Sequence, residues 1–164
     1  MRIEDFNERL AQKILVTDGA MGSLLYETVG PQRCVDELNS THAEAVFHVH
    51  QTYIEAGAQI IETNTFGANA LRLQRYGFAD RVVEINRAGA QIARKAVNQR
   101  ADKQSGKAWV AGAIGPLGVR LEPLGKTSLA EARAAFAEQI RGLAEGGVDM
   151  LVIETVSEIG RAHV

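Results

Sequence analysis

Four short apolar runs, separated by longer amphipathic segments, most constrain what this chain of 164 residues can fold into. None of the runs alternates apolar with polar side chains, which is typical of parallel strands that are buried on both faces. We therefore predict four β-strands, at residues 14–17, 59–63, 109–114 and 149–153.

The segments between the runs have the apolar spacing of amphipathic helices. Two helices are predicted at residues 41–56 and 80–99, with Thr41 and Asp80 as their N-terminal caps. A third helix is predicted to begin at a capping box that opens with Ser128. Strands that alternate with helices in this way form parallel sheets.

Two architectures have this alternation, an open doubly wound sheet and a closed barrel of eight units. The first strand is followed by Asp-Gly-Ala-Met-Gly at residues 18–22, which is not the glycine pattern of a dinucleotide-binding sheet. The repeating units are roughly 45 residues long, against about 30 for a bare βαβ unit, and long βα loops are typical of barrel enzymes. We favour an α/β fold that is an incomplete (β/α)8 TIM barrel, about its first four βα units.

A complete barrel of this kind needs about 250 residues. We therefore expect residues 1–157 to form the N-terminal half of a barrel domain. Residues 158–164 lack an apolar stripe where a fourth outer helix is expected, so we interpret them as a non-native tail. We expect such a fragment to be inactive as an enzyme on its own.

Composition excludes several classes of partner. The net charge is −2 and there is no basic run, which argues against nucleic acid or an anionic membrane as a partner. Residues 1–6 lack the apolar core of a signal peptide, so a cytoplasmic location is expected. The single cysteine, Cys34, excludes an internal disulfide and any zinc site in this chain that needs two thiolates. His48 and His50 are two apart on a predicted helix and therefore make a poor metal pair.

Polar residues stand where the predicted strands end. Asp18, Asn64 and Glu154 each lie at or just after the C-terminal end of a strand, where barrel enzymes carry their chemistry. A carboxylate at the mouth of an apolar barrel is costly unless it meets a cation, and a substrate ammonium group would be such a cation. Structural roles remain open, since Asp18 could cap a helix and Asn64 could brace a loop. Glu154 directly follows four apolar residues, which favours a functional role.

Several stretches together resemble the homocysteine S-methyltransferase family. They are residues 14–22 (ILVTDGAMG), 56–69 (AGAQIIETNTFGAN), 111–118 (AGAIGPLG) and 146–156 (GGVDMLVIETV). Residues 33–39 and 67–77 are most similar to the branch that fuses this domain to a 5,10-methylenetetrahydrofolate reductase. Cobalamin-dependent methionine synthases share the same barrel.

The resemblance implies a zinc-dependent barrel that methylates homocysteine to methionine. It implies that Asp18 and Glu154 hold homocysteine, that Gly19 offers backbone contacts and that Asn64 lines the same pocket. The family's three zinc-binding cysteines belong to the second half of the barrel and have no counterpart here, since Cys34 lies elsewhere. The methyl donor stays open among methylfolate, methylcobalamin, S-methylmethionine and other onium compounds.

A second class of function is left open by the residues. A half-barrel would expose the edges of the first and fourth predicted strands, with unpaired backbone groups and apolar side chains. The chain could then act as a binding or self-assembly module without catalysis.

Overall fold

The computed structural model describes residues 3–100 and 108–156, in which four helices precede the first strand and helices separate the later strands. The helices are α1 (Ile3–Gln12), α2 (Met21–Val29), α3 (Leu38–Thr41), α4 (Ala43–Ala56), α5 (Ala70–Leu73), α6 (Val82–Arg100) and α7 (Leu129–Gly146). The strands are β1 (Ile60–Glu62), β2 (Trp109–Ile114) and β3 (Met150–Ile153). Two short 3-10 turns, Gln74–Tyr76 and Ala79–Arg81, lie between α5 and α6.

The three strands form one parallel sheet in the order β1-β2-β3, which confirms the predicted α/β class. The predicted first strand was wrong as a strand, because residues 14–17 make only one bridge, from Thr17 to Ile60. The backbone hydrogen bonds of this segment lie at the start of β1, where the Val16 carbonyl accepts from the Gln59 N–H at 2.8 Å. Ile14 accordingly stays 88% exposed.

The two faces of the sheet are buried by different partners. On one face, Ile60 and Trp109 pack with Phe6 of α1, whose ring meets the indole edge-on at 5.5 Å between centroids. On the other face, Ile61 and Val110 pack beneath α4 and α6. Side chains alternate between faces along a strand, so this division also decides which residues lie on the face of the sheet that α1 covers.

Helix ends follow the predictions at some positions only. Ser128 opens α7 in a capping box, and Gly57 ends α4 in the left-handed region at φ 106°, as predicted. Thr41 was wrong as a cap, because it is the last residue of α3, its hydroxyl donates to the Glu37 carbonyl, and His42 is the residue that precedes α4. Asp80 was also wrong, because it lies inside the Ala79–Arg81 turn and α6 begins after it.

The remaining sequence predictions have mixed outcomes. The expected tail at residues 158–164 lies outside the described residues. His48 is exposed whereas His50 is fully buried, so the two do face different ways. In the described part of the chain, no helix combines the length and apolar character needed to cross a membrane. The cytoplasmic location stays a prediction.

Candidate substrate-binding site

A pocket of about 530 Å³ opens at the C-terminal ends of the strands. The four residues predicted from the sequence all line it: Asp18, Gly19, Asn64 and Glu154. Other polar and charged residues line it as well, namely Arg33, Cys34, Asp36, Glu62, Thr63, Thr65, Arg72 and Tyr76. Strand ends, the turn after residue 17 and the loop at 33–36 thus enclose one cavity.

Strand alternation brings three carboxylates into this pocket. Glu62 shares a face of β1 with Ile60, two residues before it, and that face is the one closed by α1. Glu154 stands two residues beyond Val152 on the same side, and its backbone N–H donates to the Ile114 carbonyl at 3.1 Å. Asp18 follows directly after the bridge between Thr17 and β1.

Asp18 is held by β1 at both its backbone and its side chain. Its N–H donates to the Ile60 carbonyl at 3.0 Å, and its Oδ2 accepts from the Glu62 N–H at 3.0 Å. Burial raises the pKa of Asp18 to about 7, and the charges of Glu62 and Glu154 act in the same direction while the Glu62 N–H opposes them. The carboxyl therefore exchanges its proton near neutral pH.

Glu62 and Glu154 join Asp18 to form a cluster of three carboxylates in this pocket. Burial, and then the charge of Glu154, raises the pKa of Glu62. Within the described residues, no lysine, arginine or histidine lies within 4.0 Å of these three carboxylates. Such a group attracts a cationic ligand, because buried carboxylates need a counter-charge or a shared proton.

Gly19 allows a close approach between the turn and α4. A Cβ at this position would stand 3.0 Å from the Tyr53 hydroxyl oxygen. That hydroxyl donates to the Ala20 carbonyl at 3.0 Å, which fixes the turn after Asp18. Because Gly19 has no side chain, the backbone beside Asp18 can pack directly against α4.

The Asn64 side chain is engaged by the protein itself. Its Nδ2 donates to the Val35 carbonyl at 2.9 Å and to Asn39 Oδ1 at 3.2 Å. Asn39 returns a bond, from its Nδ2 to the Asn64 carbonyl at 2.7 Å. Asn64 thus braces the pocket wall against the 35–39 segment, which is the structural alternative that the sequence left open for it.

The segment that carries Asn64 is tied to β2 and α7 as well. The Thr65 hydroxyl donates to the Ala113 carbonyl at 2.9 Å, and the Ala113 N–H donates to the Thr63 hydroxyl at 3.0 Å. Buried Gln139 of α7 donates to the Thr65 carbonyl at 2.8 Å. These bonds hold residues 63–65 in one conformation at the pocket wall.

The other end of the pocket has a different character. Asp36 accepts from the Gly67 N–H at 2.8 Å, and burial raises its pKa while that bond and the charge of Arg72 lower it. The Arg72 guanidinium lies 5.3 Å from the centroid of the Phe66 ring. Burial, and then the charge of Asp36, raises the pKa of the Cys34 thiol, which disfavours the thiolate needed for nucleophilic or metal chemistry.

Sequence reasoning missed Glu62, Asp36 and Arg72. Glu62 could have been found from the sequence, because burying a charged residue inside an apolar run is costly. It also stands two residues after Ile60, so both side chains lie on the same face of the strand. Asp36 and Arg72 had no such signal, because the tertiary packing of a loop and of α5 brings them to the pocket from positions 36 residues apart.

A family model described as homocysteine S-methyltransferase matches residues 15–164. The chain belongs to the homocysteine S-methyltransferase family. It is also 35% identical over 162 residues to methionine synthase of Mycobacterium leprae, and equally so to that of Mycobacterium tuberculosis. These matches cover 94% of this chain and 13% of each relative.

Solved structures of the homocysteine methyltransferase MmuM from Escherichia coli have the same fold. The metallated form has a TM-score of 0.77 at 26% identity and is covered over 56% of its length by 90% of this chain. The apo form has a TM-score of 0.69 at 27% identity, with coverage of 52% of its length by 91% of this chain. The chain therefore spans about half of the solved relative and a smaller part of the methionine synthases.

The residues present do not fit the zinc site that the family implies. Structural and catalytic zinc sites need three or more protein ligands, chiefly thiolates and imidazoles. The sequence has one cysteine. Across residues 3–100 and 108–156, no three His, Cys, Asp or Glu side chains are grouped so that they could hold a metal ion.

Proposed function

We propose that residues 1–157 form the homocysteine-binding part of a homocysteine S-methyltransferase that produces methionine. The single observation that carries this proposal is the pocket lined by Asp18, Glu62 and Glu154, which form no ion pair with any residue of the described ranges 3–100 and 108–156, in a chain of this family. An amino-acid ammonium group supplies the missing positive charge.

The chemistry of the pocket fits the amino end of homocysteine. Asp18 and Glu154 accept hydrogen bonds from the ammonium group, which are charge-assisted and stronger than neutral ones. Gly19 presents backbone beside Asp18, where the α-carboxylate of the substrate can bind to N–H groups. Asn64 keeps the wall in place, so that the amino acid is received in one orientation.

In the proposed reaction, the homocysteine sulfur bonds to the methyl carbon of a donor, the bond between donor and methyl breaks, and the thiol proton leaves. The residues of this chain bind and orient the amino acid. The donor is proposed to be methylfolate or methylcobalamin, and the likeness of residues 33–39 and 67–77 supports the reductase-fused branch.

Calorimetric titration of the purified chain with reduced L-homocysteine tests the proposal. We expect binding at pH 8 and at least about 10-fold weaker binding of 4-sulfanylbutanoate, which lacks only the ammonium group and its charge-assisted bonds. We expect no methionine formation by this chain alone. Equal affinity for the two thiols, or no binding of either, would contradict the proposal.

One observation favours a second candidate, self-association without catalysis. Leu151 and Ile153 of β3 are 41% and 55% exposed, and Ile14 is 88% exposed. These side chains form apolar surface at the two edges of the sheet, beside β1 and on β3, which a second copy of the chain could cover. Sedimentation velocity should then show a dimer that Leu151→Lys with Ile153→Lys returns to monomer. A concentration-independent wild-type monomer argues against this candidate.

A further inference from the structure

Glu62 lies beside Asp18 in the sheet and does not itself bind the ammonium group in the proposed function. The turn containing Asp18 pairs with β1, β1 pairs with β2, and β2 pairs with the strand that leads to Glu154. Glu62 is therefore on the strand next to Asp18, and its N–H donates to Asp18 Oδ2 at 3.0 Å. The backbone of Glu62 is thus fixed against the Asp18 carboxylate, and both residues line the same pocket.

We propose that Glu62 sets the protonation state of Asp18, and thereby the pH range over which the pocket accepts an ammonium group. The second part of this inference rests on the proposed function. Two carboxylates that share a site cannot both ionise freely, because each charge opposes the loss of a proton from the other. While Glu62 is ionised, Asp18 keeps its proton to a higher pH and is less able to pair with an ammonium group.

The other charged and titratable groups around the pair are few in the described part of the chain. Glu154 comes from the end of β3, and its charge raises the pKa of both Asp18 and Glu62. Tyr53 reaches the turn from α4, and the charge of Asp18 contributes, after burial, to raising its pKa. The residue of β2 that lines the pocket, Ala113, is uncharged. The remaining charged or titratable lining residues come from the loop at 33–36, from α5 and from the turn at 74–76, and they are Arg33, Cys34, Asp36, Arg72 and Tyr76.

Charge counting agrees with a controlling role for Glu62. Among Asp18, Glu62 and Glu154 alone, three ionised carboxylates and one ammonium group leave two negative charges close together, which is unfavourable in a half-buried site. Asp18 and Glu154 pair with the ligand in the proposed function. The charge of Glu62 is therefore the one that opposes the ionisation of Asp18 without pairing with the ligand.

Glu62→Gln tests the inference, because glutamine keeps the side-chain size and the backbone N–H that Asp18 accepts. Homocysteine affinity is measured by calorimetry from pH 5.5 to 8.5. We expect the midpoint of its rise with pH to move down by at least half a unit, which is about a 3-fold gain in affinity on the acid side. An unchanged midpoint, or loss of binding at every pH, would overturn the proposal.

Glu55→Gln is the matched control, because Glu55 is exposed near the end of α4 and does not line the pocket. We expect it to leave the midpoint where the wild type has it. An equal shift in this control would show a general charge effect and would also overturn the role of Glu62.

A second measurement does not depend on homocysteine binding. The carboxyl carbon of Asp18 is titrated by NMR in the ligand-free wild type and in Glu62→Gln. A lower titration midpoint in the variant supports the control of Asp18 by Glu62 even if homocysteine does not bind, in which case only the proposed function fails. An identical midpoint overturns the inference whether or not homocysteine binds.

Discussion

Replacing Asp18 by asparagine should lower the affinity for L-homocysteine by about 10- to 100-fold at pH 8, since a hydrogen bond to a charged group contributes about 1.5–3 kcal/mol. Asparagine keeps an oxygen that can accept from the Glu62 N–H, so the turn should stay folded. Calorimetric titration of both proteins, with circular dichroism as the test of folding, measures the effect.

The pH dependence should change together with the affinity. The pKa of Asp18 is about 7, and only its ionised form pairs with an ammonium group. Wild-type affinity should therefore rise as the pH increases from 6 to 8, whereas the Asp18→Asn variant should lack this rise. Asp80→Asn, at an exposed position in the turn before α6, is the control and should behave as the wild type.

Stability should move in the opposite direction in the same variant. A carboxyl whose folded pKa lies above its ordinary value of 3.8 favours folding at low pH, and this contribution is lost as the pH rises towards 7. Asp18→Asn removes that loss, so its melting temperature at pH 8 should exceed that of the wild type. A variant that is less stable at pH 8 and binds homocysteine normally would contradict the role assigned to Asp18.

Replacing His50 by leucine should make the chain markedly less sensitive to acid. His50 is fully buried in α4, and neither ring nitrogen has a hydrogen-bond partner among the described residues. Burial lowers its pKa from 6.5 to about 4. Because the unfolded chain takes up the proton first, stability is retained above pH 6.5 and lost as the pH falls towards 4, by about 3 kcal/mol.

The leucine variant should avoid that loss and should also be more stable at pH 7, by about 1–3 kcal/mol, because two unsatisfied polar atoms leave the core. Urea unfolding at pH 7.0, 5.5 and 4.5 measures both effects. His48→Leu, two residues away on the exposed side of the same helix, should retain the wild-type acid response. If His50→Leu loses stability with acid as steeply as the wild type does, the loss arises at other groups.

The parallel sheet was predictable because its strands are nearly continuous apolar runs, as β2 requires by being buried along its whole length, although one face of β3 is exposed. The runs at 59–63, 109–114 and 149–153 contain the three observed strands. The run at residues 14–17 has the same composition and still makes only one bridge. Apolar composition marks a segment that can pair, whereas pairing itself depends on the partner edges that the fold supplies.

Only those residues of the candidate site whose positions follow from strand order could be predicted from the sequence. Asp18 and Glu154 meet because parallel strands end at the same edge, and this follows from the sequence. To predict that Glu62 enters the site, one must know that it lies on the same face of β1 as Ile60 and that α1 covers this face. The bonds between Asn39 and Asn64 join α3 to the segment after β1, 25 residues apart along the chain, and no local pattern predicts them.

The hydrogen bonds around residues 63–65 have a consequence for the kinetics of binding. That segment is tied to β2 by Ala113, to α7 by Gln139 and to the 35–39 segment through Asn64. Its conformational entropy is lost when the chain folds and is not lost again when a ligand arrives. An amino acid that enters should therefore associate in a single bimolecular step, and differences in affinity among ligands should arise in their rates of departure.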